Sequence, residues 1–394
     1  MRSSTLATCA LAAVFVASYV GATASEEAGG YIETDLVVNQ PSKTLTDKNG
    51  IVHTATNFDA NLVNPWGISE SASSPFWVSD NGSGKATLYN TPGVPQARVV
   101  SIPSPGDPLG ASGKPTGTVF NSTTGFVISG VSNCTTNAPA SRPAVFLFAT
   151  EDGTIVGWNP AVNPPNCDPA KAGNYGIIAV DNSSATQGAN FAIYKGLEIA
   201  TNNGATFLYA ANFRGGTVDV FDANFAKVNA HHEMFKDPDL PDSYAPFNVV
   251  RIVEELFVTF AMQDADKEDD VAGQGHGFVD VFDLGGSLLR RFAQHGQLNS
   301  PWGVALTPPG FGELGGTLWI GNFGSGHINA YDFASGEFLD KVRLPKGQPL
   351  VIDGLWALKF GNGGNGGKTD TLYFTAGPND EKDGLFGSIS PGPP

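Results

Sequence analysis

The stretch LVNPWGIS at residues 62–69, followed by FWVSDNGSGKATLYN at 76–90, returns as LNSPWGVA at 298–305 and LWIGNFGSGHINAYD at 318–332. Each copy has an apolar strand opened by Pro-Trp-Gly and a second strand rich in aromatic and β-branched residues. A polar, Gly-rich loop and a third strand ending in Tyr complete the unit. The two copies match in order and spacing, which indicates a repeat of short β-strands.

Four weaker copies fill the rest of the chain, and they begin with KPTGTVFN at residue 114, KGLEIAT at 195, FNVVRI at 247 and DGLWALKF at 353. Taking residues 66, 116, 196, 247, 302 and 355 as equivalent gives six units, most of them about 50 residues long. Units of this length with four short strands are typical of β-propellers, whose blades bury their faces against each other. We therefore predict an all-β, six-bladed β-propeller of four-stranded blades, its ring closed by an N-terminal strand near residues 34–40.

The composition supports this class and excludes others. The 394 residues include 49 Gly, 27 Pro and 26 Phe, with 41% hydrophobic and only 15% charged residues. Such a chain can bury a large core and has too little charge to be disordered. A net charge of −16 makes a nucleic acid an unfavourable partner, because both surfaces would be negative.

The first residues predict secretion. Arg2, an apolar run to about Val20 and small residues at Ala22 and Ala24 form a signal-peptide pattern over residues 1–24. Residues 25–394 then form one propeller domain, with an insertion at about residues 120–180 in the second blade, and no later segment is apolar enough to span a membrane.

Cys134 and Cys167 lie in the insertion, and we predict a disulfide between them in an oxidising compartment. Asn-x-Ser/Thr sequons would carry glycans only in a eukaryotic secretory pathway, at Asn81, Asn121, Asn133 and Asn182.

The repeat units resemble a known family. Pro-x-Gly with an apolar pair, then an aromatic-Val strand, then a Gly-x-Ile/Val strand ending in Phe-Asp is similar to the NHL repeat. With the NPWG and SPWG units and QDADKEDDVAGQGHGFVDVFD, the chain resembles secreted NHL-like proteins over about residues 33–390. The resemblance implies a propeller but no single activity, because NHL-type propellers include protein-binding scaffolds, peptide-amidating lyases and relatives with lactonase-like activity.

In a four-stranded blade, the loop that enters the inner strand and the loop between strands two and three open on the same face. Loops held by a rigid scaffold commonly carry binding groups. The loops between strands two and three contribute Asn81, Glu151 and residues 379–383 to this face. From the other loops we predict ligand-binding residues at Asn64, Trp66, Lys195, Asn248, Asn299, Trp302, Asp353 and Trp356. The three Trp residues either present aromatic planes to an amphipathic ligand or wedge between blades as core.

The segment QDADKEDD concentrates carboxylates between two strands. Closely spaced carboxylates followed by glycines suit Ca²⁺, which takes six to eight oxygen ligands from flexible loops. We predict a calcium site from Asp264, Asp266, Asp269 and Asp270, with a solvated acidic loop as the alternative. Ca²⁺ is the one cofactor that the sequence suggests.

Catalytic motifs are scarce. The sequence has no HExxH, nucleophile elbow, phosphate-binding loop or dinucleotide fingerprint. His276 and His327 stand at comparable positions near a loop between strands two and three, so they are the candidate general bases. Structural roles for both histidines are the alternative.

These patterns favour a secreted, extracellular, monomeric binding propeller, whose partner is a small molecule, a glycan or an extracellular protein. The alternative is a calcium-dependent hydrolase or lyase acting on a small molecule or carbohydrate at the same face. A structural surface protein is the third class.

Overall fold

The computed structural model describes residues 29–228 and 234–393 and is nearly all β. Six antiparallel sheets, here called blades 1 to 6, follow one another along the chain. From the inner strand outward, blade 1 consists of Pro65–Ser69, Phe76–Asp80, Lys85–Asn90 and Val94–Pro95, with Val100–Ser101 also paired to its third strand. Blade 2 consists of Pro115–Phe120, Phe146–Thr150, Thr154–Trp158 and Ile177–Asp181. Blade 3 shows Tyr194–Asn202, Ala205–Asn212 and Thr217–Phe221.

The remaining blades complete the ring. Blade 4 consists of Tyr244–Ile252, Glu255–Met262, Phe278–Asp283 and Leu288–Gln294. Blade 5 consists of Pro301–Leu306, Leu318–Asn322, Ile328–Tyr331 and Phe338–Lys341. Blade 6 consists of Leu355–Phe360, Leu372–Ala376, Leu385–Pro391 and, as its outer strand, Tyr31–Val38. The predicted six-bladed propeller, with mostly four-stranded blades, is confirmed.

The N-terminal strand Tyr31–Val38, here called the closing strand, joins the two ends of the chain. It runs antiparallel to Leu385–Pro391, with Tyr31 opposite Pro391 and Val38 opposite Leu385. The Tyr31 ring packs edge-on against Trp319 of blade 5, with ring centroids 4.9 Å apart, and its hydroxyl donates to the Phe311 carbonyl at 2.9 Å. The predicted closure of the ring by an N-terminal strand is therefore confirmed.

A small hairpin follows the closing strand. Its strands are Thr44–Thr46 and Val52–Thr54, and this pair is here called the N-terminal hairpin. Asn57–Phe58 then pairs in parallel with the end of the closing strand. The short strand therefore extends the sheet of blade 6 beyond the closing strand, and the hairpin is tied to the closing strand by the Thr54 N–H, which donates to Asp35 Oδ2 at 2.8 Å.

The core is divided among the interfaces between neighbouring blades. Blades 1 and 2 meet through Trp77, which stacks on Phe146 with ring centroids 4.2 Å apart. Around the channel, the inner strands approach closely enough to require glycine. A Cβ atom on Gly117 of blade 2 would lie 2.2 Å from the Leu197 backbone nitrogen of blade 3. The glycines at this position in blades 1, 2, 3 and 5, namely Gly67, Gly117, Gly196 and Gly303, therefore serve packing.

Blade 2 carries additional structure between its strands. The hairpin Val127–Val131 and Pro139–Pro143 lies between the inner and second strands, and a longer loop joins the third strand to the outer strand. The predicted disulfide is confirmed: Cys134 after the hairpin's first strand bonds Cys167 in that loop. Both cysteines are buried beside Val131 and Tyr175.

Helical segments are short and lie in loops. One α-helical turn spans Ser184–Gln187, Pro378–Glu381 is a turn with left-handed residues, and the 3₁₀ turns are Asn81–Ser83, Pro169–Lys171, Gly188–Asn190 and Gly312–Leu314. Within residues 29–228 and 234–393, none of them has the length and hydropathy of a membrane-spanning helix. The predicted signal peptide at residues 1–24 lies outside the described residues.

Candidate functional site

Every inner strand carries a β-bulge at the same place. The pairing between inner and second strands shifts there in all six blades. Bulges re-aim side chains, and here they turn six residues toward the channel axis, none of them more than 4% exposed: Trp66, Thr116, Lys195, Phe247, Trp302 and Trp356. The repeat alignment made from the sequence gives the correct axial residue for four blades. For blades 3 and 6 it is one residue off, because it takes residue 196 in place of Lys195 and residue 355 in place of Trp356.

Four of these residues form an aromatic plug on the axis, namely Trp66, Phe247, Trp302 and Trp356. Trp66 and Trp356 stack with ring centroids 3.5 Å apart, and Trp302 meets both rings edge-on at about 6 Å. Phe247 of blade 4 lies 6.5 Å from Trp66 of blade 1, across the ring. The three Trp residues are therefore buried core residues, as in the second of the two interpretations from the sequence, and they lie on the channel axis.

Lys195 takes the place of an aromatic residue in blade 3. Its ammonium nitrogen lies 2.5 Å from Glu151 Oε1 and 3.2 Å from Asp269 Oδ1. Burial opposes the charged form of Lys195, but the negative charges of Glu151 and Asp269 raise its pKa above the usual range. The same contact lowers the pKa of Glu151 despite its burial. Both partners are therefore ionised at neutral pH.

Two further carboxylates, Asp270 and Glu381, lie at this end of the channel. Glu381 Oε2 accepts a hydrogen bond from Asn64 Nδ2 at 2.8 Å, and Asn64 Oδ1 accepts one from Trp356 Nε1 at 3.0 Å. Burial, together with the charges of Glu151, Asp269 and Asp270, raises the pKa of Glu381 to about 7. We call Glu151, Lys195, Asp269, Asp270 and Glu381 the channel-mouth cluster. It holds four carboxylates against one ammonium group.

The backbone that presents Glu381 is strained. Asn379, Asp380 and Glu381 have φ angles of 59°, 56° and 65°, three consecutive left-handed residues without a glycine. Each such residue costs about 1–2 kcal/mol. The Asp353 carboxylate holds the turn by accepting the Asn379 N–H at 2.9 Å. Strain of this kind concentrates at functional sites, where the surrounding structure maintains it.

A pocket of about 250 Å³ opens beside the cluster. Phe323, one of its walls, stacks on Trp356 with ring centroids 4.0 Å apart. The remaining walls come from Lys48, Ala272, Gly324, Gly354, Gly377, Asp380 and Glu381. The pocket therefore combines an aromatic face, carboxylates and exposed backbone.

The other predicted ligand-binding residues tie loops and blades together. Asn248 is buried and donates to the Trp302 carbonyl at 2.9 Å. Asn299 accepts the Gly273 N–H at 2.7 Å, and Asp353 lies 3.2 Å from the Lys48 ammonium group. Asn64, Trp66, Lys195, Trp302 and Trp356 do converge at the channel.

The four aspartates of the acidic loop that were predicted to bind calcium lie in two separate places. Asp264 accepts the Glu268 N–H at 2.9 Å within the loop, and the Asp266 carbonyl accepts from Arg214 at 2.7 Å. Asp269 and Asp270 instead belong to the channel-mouth cluster. The four predicted calcium ligands therefore do not form one set in this structure, and calcium binding stays a prediction.

Both candidate general bases lie near backbone carbonyls. His276 Nδ1 is 2.9 Å from the Val271 oxygen, and His327 Nδ1 is 3.3 Å from the Leu350 oxygen. Burial lowers the pKa of His327. Among the described residues, neither ring hydrogen-bonds a channel-mouth carboxylate.

Glu151 and Glu381 are the principal site residues that the sequence did not single out. Both stand in loops predicted to open on this face, yet neither belongs to a motif. Their role follows only from distances between loops of blades 2, 3, 4 and 6.

The opposite end of the channel contains a larger cavity. It measures about 580 Å³, and Trp302 of the plug is one of its walls. Glu70 and Lys359, 3.6 Å apart, are among its few charged residues. Burial raises the pKa of Glu70 to about 7 although Lys359 opposes the shift. Much of the remaining lining comes from apolar residues of the inner strands.

Comparison with known proteins identifies relatives. The chain is 32% identical over 340 residues to uncharacterized protein L690 of Acanthamoeba polyphaga mimivirus, covering 85% of this chain and 82% of that protein. It is 30% identical over 340 residues to uncharacterized protein R648 of the same virus, covering 85% and 76%. The chain belongs to the family of L690 and R648. No protein-family model matches this chain, so the resemblance to NHL repeats stays a prediction.

Solved structures offer distant likenesses to this member of the L690 family. A streptogramin B lyase covers 92% of this chain and 98% of its own, at 10% identity and a TM-score of 0.48. The soluble aldose sugar dehydrogenase of Escherichia coli covers 84% and 97%, at 10% identity and a TM-score of 0.47.

Proposed function

We propose that this chain is a secreted binding propeller whose channel mouth takes a small ligand with a positively charged group. The observation that carries the proposal is the excess of carboxylates in the channel-mouth cluster, where Glu151, Asp269, Asp270 and Glu381 surround one ammonium group, that of Lys195. Asp270 adds a buried oxygen, Oδ2, without a hydrogen-bond partner. A bound cation would compensate these charges.

The pocket supports an organic cation. Its volume of about 250 Å³ suits a small molecule, and an ammonium group over the Phe323 ring would gain cation–π energy. Glu381 lines the same pocket and would pair with that group once ionised. The amide of Asn64 fixes the carboxylate in place.

Two further observations support secretion. The leader pattern at residues 1–24 is one of them. The other is the disulfide between Cys134 and Cys167, because such bonds persist in oxidising compartments.

Calorimetric titration tests the binding proposal. The probes are putrescine and choline, with neutral butane-1,4-diol as the control, at pH 8. We expect the cations to bind and the diol not to bind. Binding should weaken by about tenfold at pH 6, where a carboxyl group with a pKa near 7 is mostly protonated. Glu381→Gln should abolish this pH dependence, whereas the exposed Glu254→Gln should retain it.

The binding proposal fails if neither cation binds, or if the diol binds equally well. A protein-binding surface would then be the better interpretation of the face.

A hydrolase or lyase is the second candidate, because Glu381 has a pKa of about 7 beside the pocket. General acid–base catalysis is most efficient when the pKa lies near the working pH. Here Glu381 would transfer the proton, and Asp269 and Asp270 would offer oxygens to Ca²⁺. Turnover of nitrophenyl esters or glycosides that is lost in Glu381→Gln and in EDTA would support this candidate.

A further inference from the structure

A second cluster of ionisable side chains lies away from the channel, where the chain closes its ring. Glu33 and Asp35 belong to the closing strand, and His53 belongs to the N-terminal hairpin. Residues two apart on a strand point to the same side of the sheet, so both carboxylates face the hairpin. We call these three residues the closure cluster.

The donor atoms of the closure cluster converge. His53 Nδ1 lies 3.1 Å from Asp35 Oδ1 and 3.6 Å from Glu33 Oε1, and all three atoms lie within 4.8 Å of one another. In the described part of the chain, no other group of three His, Cys, Asp or Glu residues meets this criterion. A tetrahedral zinc site with bonds of about 2.0–2.2 Å places its donors about 3.4 Å apart. The observed separations lie on either side of that value.

Two buried atoms here lack hydrogen-bond partners, and the one that belongs to the converging donor set, Glu33 Oε1, is an independent indication of a ligand. Glu33 Oε1 has none, and neither has Nε2 of His53, whose side chain is 2% exposed. Buried polar atoms are normally paired, so these two require an explanation.

The surroundings of His53 match those of a metal-binding histidine. Ligating histidines usually direct their second nitrogen at a carboxylate, which fixes the ring and its tautomer. His53 Nε2 lies 3.9 Å from Oδ2 of Asp47, a fully buried side chain. Asp35 is fixed as well, because its Oδ2 accepts the Thr54 N–H at 2.8 Å.

We propose that Glu33, Asp35 and His53 bind one Zn²⁺ ion, with Asp47 as the outer partner of the histidine. One imidazole nitrogen and two carboxylate oxygens suit zinc better than Ca²⁺, which prefers oxygen alone. Glu33 and Asp35 are 16% and 15% exposed, so water can complete the coordination. The ion joins the hairpin to the closing strand and so stabilises the closed ring.

The experiment uses the mature protein after removal of metals with EDTA. Calorimetric titration with ZnCl₂ should show one high-affinity ion per chain, and the melting temperature should rise on its addition. Co²⁺ in place of Zn²⁺ should give the visible absorption of a tetrahedral site. We expect Glu33→Gln and Asp47→Asn to weaken zinc binding by about 10- to 100-fold, as for other metal-site partners, and His53→Asn to abolish it.

Two control variants separate this site from other acidic surfaces. Asp269→Asn/Asp270→Asn alters the channel mouth, and His295→Asn removes an exposed histidine; both should retain wild-type zinc affinity. The proposal is overturned if the metal-free wild-type chain binds no zinc, a result that needs no variant to fold. Undiminished binding in His53→Asn would also overturn it.

Discussion

The ammonium nitrogen of Lys195 lies 5.3 Å from the centroid of the Trp66 ring, although the two residues come from blades 3 and 1. Both occupy the axial position of their repeat. One structural position therefore supplies an aromatic plug in four blades and a buried cation in another. The carboxylates of the surrounding loops then gather around that cation.

Replacing Lys195 by Met should destabilise the protein by about 3–5 kcal/mol, because Glu151 would stay buried without its partner. Urea denaturation measures the loss. The exposed Lys114→Met should change stability by less than about 0.5 kcal/mol. In the double variant Lys195→Met/Glu151→Gln, we expect part of the stability to return, because the neutral amide can still accept the Asn81 hydrogen bond. Purely additive losses would show that the two residues are not coupled.

Glu381 should make the protein less stable as the pH rises. Its folded-state pKa is about 7, against an ordinary value of 4.5, so between these values the folded state keeps a proton that the unfolded state releases. Stability therefore falls as pH increases from about 4.5 to 7. Glu381→Gln should remove this contribution and be more stable than wild type at pH 8 by about 1–3 kcal/mol. The pKa values of Glu33, Glu70 and Asp280 are also raised to about 7. These residues are present in both wild type and Glu381→Gln, so they do not contribute to the difference between the two proteins. The free energy of unfolding of both proteins is measured as a function of pH, and two curves that run parallel would contradict the prediction.

Gly117→Ala should cost about 1–3 kcal/mol, since the new methyl group would overlap the backbone of blade 3 at Leu197. Gly106→Ala is the matched control, because a Cβ there meets nothing within 4 Å. Thermal melts of the two variants compare them directly. Equal melting temperatures would mean that the inner strands can move apart at little cost.

Replacing Cys134 and Cys167 together by Ser should lower stability by about 2–4 kcal/mol. The bond closes a separation of 33 residues within blade 2, so the other blades should keep their structure. Hydrogen exchange measured by mass spectrometry should show faster exchange confined to about residues 120–180. Uniformly faster exchange would instead show that the whole ring depends on this bond.

The fold could be predicted because packing requires particular residues at the repeated positions, such as the Pro-Trp-Gly of blades 1 and 5. Position 195 was harder to align, since Lys195 stands where four of the other five repeats have an aromatic residue. The bulge that defines the equivalence is a property of strand pairing, which a single sequence does not display.

The candidate site was predictable only as a face. Which loops share that face follows from propeller topology, so Glu151 and residues 379–383 were placed there correctly. That Glu381 reaches the cluster depends on a left-handed turn at Asn379–Glu381, which lacks the glycine that usually signals such a conformation. Similarly, Glu33 lies in the closing strand and His53 in the second strand of the N-terminal hairpin, and no spacing motif joins them.

Closure by an N-terminal strand has a consequence for how the protein is made. The closing strand leaves the ribosome before the other strands of the propeller, and its partner Leu385–Pro391 is the last of those strands to emerge. At about 5–20 residues per second, the first strand waits on the order of 20–70 s for its partner. During this time the partly made propeller is an open arc. The sheet edges at its two ends have unpaired backbone groups, and such edges can pair with other chains. A prematurely terminated product has no way to close, so quality control could distinguish it from the finished ring by those edges alone.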